Sequence, residues 1–299
     1  MATTQQQWIN QFLEYLRHEK AYSSHTISAY RRDLQQFLLY CSQFELFNWP
    51  QIKANDVRQF SATRHRQGQS GRSIQRALSA VSRFFQYLAR ENQVEANPVD
   101  SVSAPRGKKR LPAVMDVDQM ERLLRIEGDD VLIVRDRALM ELFYSSGLRL
   151  SELVDLDIGD VDLADRTARV TGKGNKTRIV PVGKQALLAI KTWLKHRPEL
   201  SNSDEPALFL SQRGTRLRQR TIQQRMRDWG LKQGLAEQVY PHRLRHSFAS
   251  HVLESSGDIR AVQELLGHAN ISTTQIYTHL DFQHLAKVYD KSHPRAKKK

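Results

Sequence analysis

Residues 241–280 read PHRLRHSFASHVLESSGDIRAVQELLGHANISTTQIYTHL and carry most of the side chains that we expect to be reactive. These are one cation, two imidazoles and one phenol, supplied by Arg245, His242, His268 and Tyr277. Such a set suits an anionic substrate such as a phosphodiester, because arginine grips non-bridging oxygens in pairs and an activated hydroxyl attacks phosphorus. We therefore expect the rest of the chain to present DNA or RNA to Tyr277.

The local pattern of this stretch predicts three helices. The first begins around Pro241, since proline is well tolerated at the first helical position. The second follows Asp258 as its N-cap and stops at Gly267. The third, which bears Tyr277, begins at the Ser-Thr-Thr-Gln capping box of residues 272–275. The phenol therefore stands on a separately capped helix.

Composition bounds the class of protein. The 299 residues are enough for two domains, because single cores stop growing at roughly 250 to 300 residues. Hydrophobic residues make up 39% and charged residues 26%, which is ordinary for a globular protein and argues against a disordered chain. Lysine and arginine outnumber the acidic residues by 46 to 32, so the formal charge is +14. This excess favours nucleic acid as the partner.

The cysteine content and the lack of a signal peptide limit the cellular compartments in which we expect the protein. The single cysteine, Cys41, excludes an intramolecular disulfide and a cysteine-rich zinc site, and its apolar neighbours predict a buried structural thiol. The first residues lack the basic start and apolar run of a signal peptide, and no apolar run approaches the roughly 20 residues of a membrane span. We therefore expect a cytoplasmic protein without membrane insertion.

Helical periodicity dominates residues 5–92, where breaks at residues 48–50 and 68–71 separate four main helices. We assign residues 1–96 to an N-terminal four-helix DNA-binding bundle. Its polar faces carry many arginines and few acids, which favours phosphate contact, although a solvated basic surface with no partner would give the same pattern. These arginines are Arg31, Arg32, Arg58, Arg64, Arg66, Arg72, Arg76 and Arg83.

Two basic segments lie outside the predicted helices. Residues 97–112 contain three prolines and a basic run at residues 106–110, which together predict an interdomain linker. The run either keeps the linker extended and soluble or crosses phosphates between two DNA-facing domains, and the sequence does not separate these interpretations. At the other end of the chain, residues 291–299 are expected to be mobile.

Residues 113–299 form the second domain, which we predict to be mixed α+β, mostly helical with a small antiparallel β-sheet. A helix in this domain should end at Gly147. Arg149 follows just before the next helix, for which Ser151 is the expected cap. The N-terminus of a helix favours phosphate because its backbone N–H groups and dipole attract negative charge. The predicted fold is therefore mainly α, in two domains.

A β-hairpin is predicted within the second domain. Residues 167–170 and 178–182 are short β-prone runs, and Lys173 lies near the tip of the connection between them. The Gly-Lys-Gly-Asn-Lys-Thr string of this connection resembles a phosphate-binding P-loop. It lacks the Gly-Lys-Ser/Thr ending and the switch from strand to helix, so nucleotide binding is not expected.

A metal site is the main alternative for the histidines at the start of the quoted stretch. His242 and His246 are four residues apart on one helix face, which is a zinc-binding arrangement. However, Arg243 stands where a zinc protease has its glutamate, and Arg245 places positive charge beside any incoming cation. These two arginines argue against a metal.

Together these motifs resemble the tyrosine recombinase (phage integrase) family, and the resemblance extends across essentially the whole chain. The matching strings are Ser-Gly-Leu-Arg149-Leu-Ser-Glu-Leu, Pro-His242-Arg-Leu-Arg245-His, Leu-Leu-Gly-His268 and Ile-Tyr277-Thr-His, with Lys173 in the hairpin. The resemblance implies a SAM-like core-binding domain followed by a catalytic domain.

The same resemblance implies a mechanism of DNA cleavage and rejoining. Tyr277 would attack the scissile phosphate and leave a 3′-phosphotyrosyl link, and the 5′-hydroxyl of another strand would then reverse the step. Lys173 would give the leaving 5′-oxygen its proton. His242 is our candidate for the base that accepts the phenolic proton, because imidazole exchanges protons near neutral pH.

The remaining site residues would stabilise the negative charge of the phosphate in the transition state. Arg149 and Arg245 would neutralise the charge that grows on the non-bridging oxygens, and His268 would add a hydrogen bond. Because the number of phosphodiester bonds is conserved, no ATP is required. Two fixed guanidinium groups can do the charge work of Mg²⁺, so we expect no cofactor and no metal.

Partners follow from the resemblance as well. It implies duplex DNA as substrate, a second, related recombinase in a cyclic heterotetramer, and a DNA translocase as regulator at cell division. Three alternatives stay open: a phage- or integron-type integrase, a type IB topoisomerase-like enzyme, and a DNA-binding protein without chemistry.

Overall fold

The computed structural model describes residues 4–103, 114–172, 176–201, 204–267 and 288–296. The chain divides into two compact units, Met1–Arg110 and Leu111–Lys299. Each has its own hydrophobic core. None of the helices within the described ranges is long and apolar enough to cross a membrane.

The first unit is the four-helix bundle that the periodicity predicted. Its helices are α1 (Gln5–His18), α2 (Ser24–Gln43), α3 (Ala54–Arg66) and α4 (Gly71–Arg90), with a short 3-10 turn, Trp49–Gln51, between α2 and α3. Side-chain hydroxyls cap three of these helices, because Thr4, Ser23 and Ser70 each accept a hydrogen bond from a backbone N–H of the first turn.

Aromatic side chains fill the core of the first unit. Phe37 of α2 packs edge-on against Phe60 of α3, with ring centroids 5.1 Å apart, and Trp49 packs against Phe84 of α4 at 4.9 Å. Cys41 is fully buried, and burial raises the pKa of its thiol to about 12. The prediction of a buried structural thiol is therefore confirmed.

The packed part of the first unit continues into the segment that the sequence assigned to the linker. Val99 is buried in the core, and the Asn97 side chain donates a hydrogen bond to Ser82 at 3.0 Å. Residues 104–113 lie outside the described part of the chain.

The described residues of the second unit are mostly helical and include a small antiparallel sheet, as predicted. Its helices are α5 (Val117–Leu124), α6 (Val131–Ser146), α7 (Leu150–Asp155), α8 (Lys184–His196), α9 (Gln219–Lys232), α10 (Pro241–Ser256) and α11 (Ile259–Leu266). The strands β1 (Val161–Asp162), β2 (Thr167–Thr171) and β3 (Thr177–Pro181) form an antiparallel sheet in the order β1-β2-β3. The hairpin prediction therefore holds, with β1 as an additional edge strand.

Helix α6 is the centre of the second unit. It is apolar on nearly all sides, which is the pattern of a helix enclosed by others. It ends at Gly147, where φ is 56°. A Cβ at this position would lie 2.3 Å from the Phe248 ring of α10, so the left-handed turn and the close packing both require glycine. This turn directs the chain into α7 and so positions Arg149.

Residues 288–296 pack against α6, which corrects part of the expectation for the basic end of the chain. The Tyr289 hydroxyl lies 2.7 Å from Ser145 Oγ, and Arg295 donates to Glu141 at 2.8 Å. The His293 ring is fully buried and stacks on Tyr289, with centroids 4.9 Å apart. Basic composition alone suggested mobility, but the apolar and aromatic groups within this segment provide enough buried contact to fix it.

Candidate active site

Three guanidinium groups from distant parts of the second unit meet at the C-terminus of α11, and two of them bind one carboxylate. Arg149 precedes α7, Arg178 lies on β3 and Arg245 lies on α10. Glu152 Oε1 accepts hydrogen bonds from Arg149 Nη1 and Arg178 Nη1, both at 2.7 Å. Arg178 Nη2 donates to Glu152 Oε2 at 2.9 Å. Glu152 therefore holds two of the three cations in fixed orientations.

Arg149 is the N-cap of α7, and this corrects the expectation for Ser151, which lies inside the helix. The Arg149 backbone N–H donates to Glu152 Oε2 at 2.8 Å. A carboxylate three residues after the N-cap satisfies an otherwise free backbone donor and favours the positive end of the helix dipole. Glu152 thus supplies the side-chain contact at the start of α7, but it accepts from the N-cap residue, whereas a serine cap would accept from an N–H of the first turn.

The same three arginines bind the C-terminus of α11. Arg178 Nε, Arg245 Nη2 and Arg149 Nη2 donate to the carbonyls of Leu265, Leu266 and Gly267 at 3.4, 2.6 and 2.8 Å. The last carbonyls of a helix lack internal donors and carry partial negative charge, so cations are stabilising there. The end of α11 is therefore held by Arg149, Arg178 and Arg245, which we call the cation cluster. His268 follows directly in the sequence.

Gly267 is required at this junction. Its φ is 62°, and a Cβ would lie 3.0 Å from Arg178 Nε. The left-handed conformation ends α11, and the missing side chain lets the backbone approach the guanidinium. The sequence predicted the end of this helix correctly.

Arg245 also bonds to the turn after α6. Its Nη1 donates to the Gly147 carbonyl at 2.6 Å. Burial, and after it the charges of Arg149 and Arg178, lower the pKa of Arg245 to about 10, although Glu152 opposes the shift. Arg245 remains a cation at neutral pH. An anion bound beside this buried guanidinium would offset both the lost hydration and the repulsion from the neighbouring arginines.

The structure locates only part of the predicted site. Arg149 and Arg245 meet in one cluster. His242 is exposed in the first turn of α10, three residues before Arg245 and hence on the same helix face. Lys173, His268 and Tyr277 lie outside the described residues.

Lys173 and His268 lie outside the described residues, but the residues directly before them, Gly172 and Gly267, are described. The Gly172 N–H donates to the Lys176 carbonyl at 2.8 Å, so the hairpin closes across residues 173–175. A Cβ on Gly172 would lie 3.3 Å from Glu152 Oε1. Gly172 and Gly267, which precede Lys173 and His268 in the sequence, therefore both lie beside the three arginines.

Sequence reasoning missed Glu152 and Arg178. Glu152 stands three residues after Arg149, which is the capping-box spacing, so a local signal for it was present. Arg178 occupies an inward position of β3 between two exposed residues, where the alternation of a strand calls for an apolar side chain. A charged residue at such a position indicates a buried partner, but the partner is not identifiable from the strand alone.

Replacement of Glu152 by glutamine should destabilise the protein most near neutral pH. Burial raises the pKa of this carboxyl, but the hydrogen bonds and charge of Arg178 and the bonds from Arg149 outweigh burial and lower it from 4.5 to about 2. The carboxylate therefore contributes about 3 kcal/mol, present in full above pH 4.5 and lost as the pH falls through about 2. Urea denaturation at pH 7 and pH 3.5 measures this difference between wild type and Glu152→Gln, and the gap should narrow at the lower pH.

Glu254→Gln is the matched control, because Glu254 is exposed on α10. We expect it to change the free energy of unfolding by less than about 0.5 kcal/mol at either pH. Equal effects of the two substitutions, or a Glu152 effect that does not change with pH, would contradict the pairing with Arg149 and Arg178.

Two family models together match most of the chain. Residues 9–92 match the phage integrase N-terminal SAM-like domain, and residues 113–284 match the phage integrase family. The second match includes Lys173, His268 and Tyr277.

Relatives are similar over nearly the full length. Tyrosine recombinase XerC of Vibrio vulnificus (strain YJ016) is 52% identical over 291 residues, which cover 97% of this chain and 92% of that protein. Tyrosine recombinase XerC of Pseudomonas syringae pv. tomato (strain ATCC BAA-871 / DC3000) is 51% identical over 297 residues, which cover 98% of both.

A solved structure supports the same assignment. The XerH site-specific recombinase bound to a palindromic difH substrate, in a post-cleavage complex, is 26% identical with a TM-score of 0.72. The match covers 94% of this chain and 84% of that one. The chain therefore belongs to the phage integrase family and is a site-specific tyrosine recombinase of the Xer type.

Proposed function

We propose that this chain cleaves and rejoins duplex DNA through a covalent bond between Tyr277 and a 3′-phosphate. The observation that carries the proposal is the cluster of Arg149, Arg178 and Arg245 at the C-terminus of α11, in which Glu152 binds Arg149 and Arg178. Three guanidinium groups and one carboxylate leave an excess of two positive charges. A phosphodiester, whose charge grows in the transition state, fits this excess.

Arg149 and Arg245 are the residues that grip the scissile phosphate. Glu152 and the α11 carbonyls bind Arg149, and the carbonyls of Gly147 and Leu266 bind Arg245. Contacts of this kind fix both guanidinium planes before the substrate arrives. Preorganised donors stabilise a developing charge without the reorganisation that mobile side chains would need.

The proton transfers fall to His242 and Lys173. The phenol of Tyr277 must lose a proton to attack phosphorus, and the exposed imidazole of His242 is the candidate base on the face of α10 that also carries Arg245. Lys173 protonates the leaving 5′-oxygen, and His268 donates a hydrogen bond to a non-bridging oxygen. One phosphorus–oxygen bond forms for each that breaks, so the reaction consumes no nucleotide.

The chemical step should be independent of divalent metal. Arg149 and Arg245 supply the positive charge that Mg²⁺ supplies in many phosphoryl-transfer enzymes. The yield of covalent protein–DNA adduct on a nicked substrate should therefore be unchanged in EDTA. A strict requirement for Mg²⁺ in that step would overturn this part of the proposal.

The biological role that we propose is that of XerC. The chain would act with a XerD-type recombinase in a cyclic heterotetramer at a dif-like chromosomal site and resolve chromosome dimers at cell division, under an FtsK-type translocase. About 50% identity over nearly the whole chain to proteins of that name supports the assignment. A phage- or integron-type integrase acts on mobile elements, and a topoisomerase relaxes DNA without a second recombinase.

A suicide substrate with two different half-sites tests this role. A nick beside the scissile phosphate lets the 5′-end diffuse away and traps the adduct. We expect adduct formation and strand exchange to increase when a XerD-type partner from the same genome is added. Full recombination or relaxation of supercoiled DNA by this chain alone would favour an integrase or a topoisomerase, and DNA binding without adduct would favour a protein without chemistry.

A further inference from the structure

A polar depression of about 340 Å³ lies on the first unit, roughly ten times the volume of one water in the liquid. Arg32, Gln36, Arg64 and Arg76 line it, from α2, α3 and α4. One carboxylate, Asp33, stands among them with only 3% of its side chain exposed. The proposed chemistry of DNA cleavage uses none of these residues.

Asp33 fixes the plane of the Arg76 guanidinium. Arg76 Nε donates to Asp33 Oδ2 at 2.8 Å, and Arg76 Nη2 donates to Oδ1 at 3.0 Å. The Arg76 side chain nevertheless remains 48% exposed. A guanidinium has five N–H donors, and this contact uses one edge of the fork. The opposite edge, with one N–H each on Nη1 and Nη2, faces away from the carboxylate.

We propose that this second edge of Arg76 reads a guanine in the major groove of the recombination site, with Asp33 as its positioning residue. The inference rests on the proposed function, because it takes duplex DNA as the partner. Guanine presents O6 and N7 as paired acceptors in the major groove, and a forked contact from arginine is the commonest specific contact there. An arginine with a fixed plane and a free edge has the geometry that such a contact needs.

The carboxylate favours a base edge over a phosphate as the partner of Arg76. Among the described residues, Asp33 bonds to Arg76 alone and so offsets its charge one to one, whereas Glu152 is outnumbered by the arginines around it; a neutral guanine edge therefore suits Arg76 better than a phosphate does. Asp33 therefore reduces the attraction of Arg76 for anions while it keeps the direction of the donors. Neither Arg32 nor Arg64 forms an ion pair within the described ranges, so these two flanking cations suit the neighbouring phosphates.

Packing of α2 on α4 does not by itself explain the buried carboxylate. Phe37 of α2 and Phe85 of α4 already meet edge-on in the core, with centroids 6.4 Å apart. A buried ion pair is often no more stabilising than apolar residues of similar volume, because both charges lose their hydration. A carboxylate that holds a half-exposed arginine is better explained by what the arginine binds.

The position of Arg76 on α4 fits entry into a groove. Helix α4 has 20 residues and so is about 30 Å long, and the diameter of an α-helix matches the width of the major groove. Arg76 lies in the second turn. Base contacts of recognition helices come most often from such N-terminal turns.

Base preferences of the full-length protein test the proposal. Wild type, Arg76→Lys, Arg76→Gln and Asp33→Asn would each select from a randomised duplex library, and the bound fraction would be sequenced. We expect wild type to prefer guanine at one position by about fivefold to 150-fold. Both Arg76 variants should lose this preference at that position alone, and Asp33→Asn should weaken it. Arg17→Gln is the matched control, because Arg17 pairs with Glu14 on α1 outside the depression.

The outcomes separate the competing roles. A uniform loss of affinity with unchanged base preferences would assign Arg76 to a phosphate or to helix packing and overturn the proposal, as would preferences identical to those of wild type. Thermal unfolding shows whether each variant is folded. If Arg76→Gln does not fold, Arg76→Lys decides, since it keeps the charge beside Asp33 but loses the fork. A wild-type protein that selects no sequence would contradict the proposed function itself.

Discussion

Tyr277→Phe is expected to abolish the covalent adduct on a nicked suicide substrate while DNA binding stays within about twofold of wild type. The substitution removes only the nucleophilic oxygen, so the rate should fall by at least the roughly thousandfold typical of a lost essential group. Denaturing gel electrophoresis of labelled DNA measures the adduct, and a mobility shift measures binding.

Tyr240→Phe is the control for this result. Tyr240 is 40% exposed and is the N-cap of α10, next to Pro241, so it is another accessible phenol in the same unit. Its replacement should leave the adduct yield unchanged. Persistence of the adduct in Tyr277→Phe together with its loss in Tyr240→Phe would show that the nucleophile was assigned to the wrong tyrosine.

Arg245→Lys should reduce the rate of adduct formation by about a hundredfold, with a smaller effect on DNA affinity. The guanidinium spans the Gly147 and Leu266 carbonyls at 2.6 Å each, and an ammonium group cannot reproduce this planar contact and also grip a phosphate. Loss of one preorganised donor costs about 3 kcal/mol in the transition state. Single-turnover kinetics on the suicide substrate would measure it.

Arg260→Lys on α11 is the matched control. Its side chain is 72% exposed and pairs with Glu264 one turn along the helix. Exposed pairs of this kind contribute less than about 1 kcal/mol, and Arg260 is not part of the cation cluster. The control should therefore react at the wild-type rate. If Arg245→Lys also reacted at the wild-type rate, Arg245 would not be a ligand of the scissile phosphate.

Much of the fold was predictable because its signals are local. Asp258 caps α11 by accepting a hydrogen bond from the Ala261 N–H at 2.9 Å, and the glycines that follow α6 and α11 end them as expected. The hairpin pairs Thr171 with Thr177 at the point where the sequence changes from β-prone residues to glycine and lysine. Caps, turns and periodicity depend on residues a few positions apart, so one sequence reveals them.

The organisation of the site was less predictable because its contacts are distant in sequence. Arg178 and Glu152 are 26 residues apart, and Arg149 binds the Gly267 carbonyl 118 residues further along the chain. The sequence predicted Arg149 and Arg245 as phosphate ligands, but it did not predict Glu152, the carboxylate that orients Arg149. It also does not show that three arginines bind one helix C-terminus or that a buried carboxylate holds two of them.

The prediction that the basic end of the chain is mobile was partly wrong for a related reason. Its lysines and arginines suggested a solvated tail, whereas Tyr289 and His293 are buried against α6. Burial of one aromatic pair outweighs the tendency of the flanking charges to stay in water, since those charges can reach solvent or a partner such as Glu141. Composition alone does not show whether the burial of the aromatic residues outweighs the hydration of the flanking charges.

The identity of the bond that joins the protein to DNA distinguishes covalent catalysis by Tyr277 from every other mode of cleavage. After reaction on the suicide substrate, proteolysis and mass spectrometry of the DNA-linked peptide locate the attached residue, and end-labelling identifies the DNA end. We predict a 3′-phosphate on Tyr277 and a free 5′-hydroxyl on the released strand. Attachment through a 5′-phosphate, attachment to any other residue, or cleavage without a covalent intermediate would contradict the account.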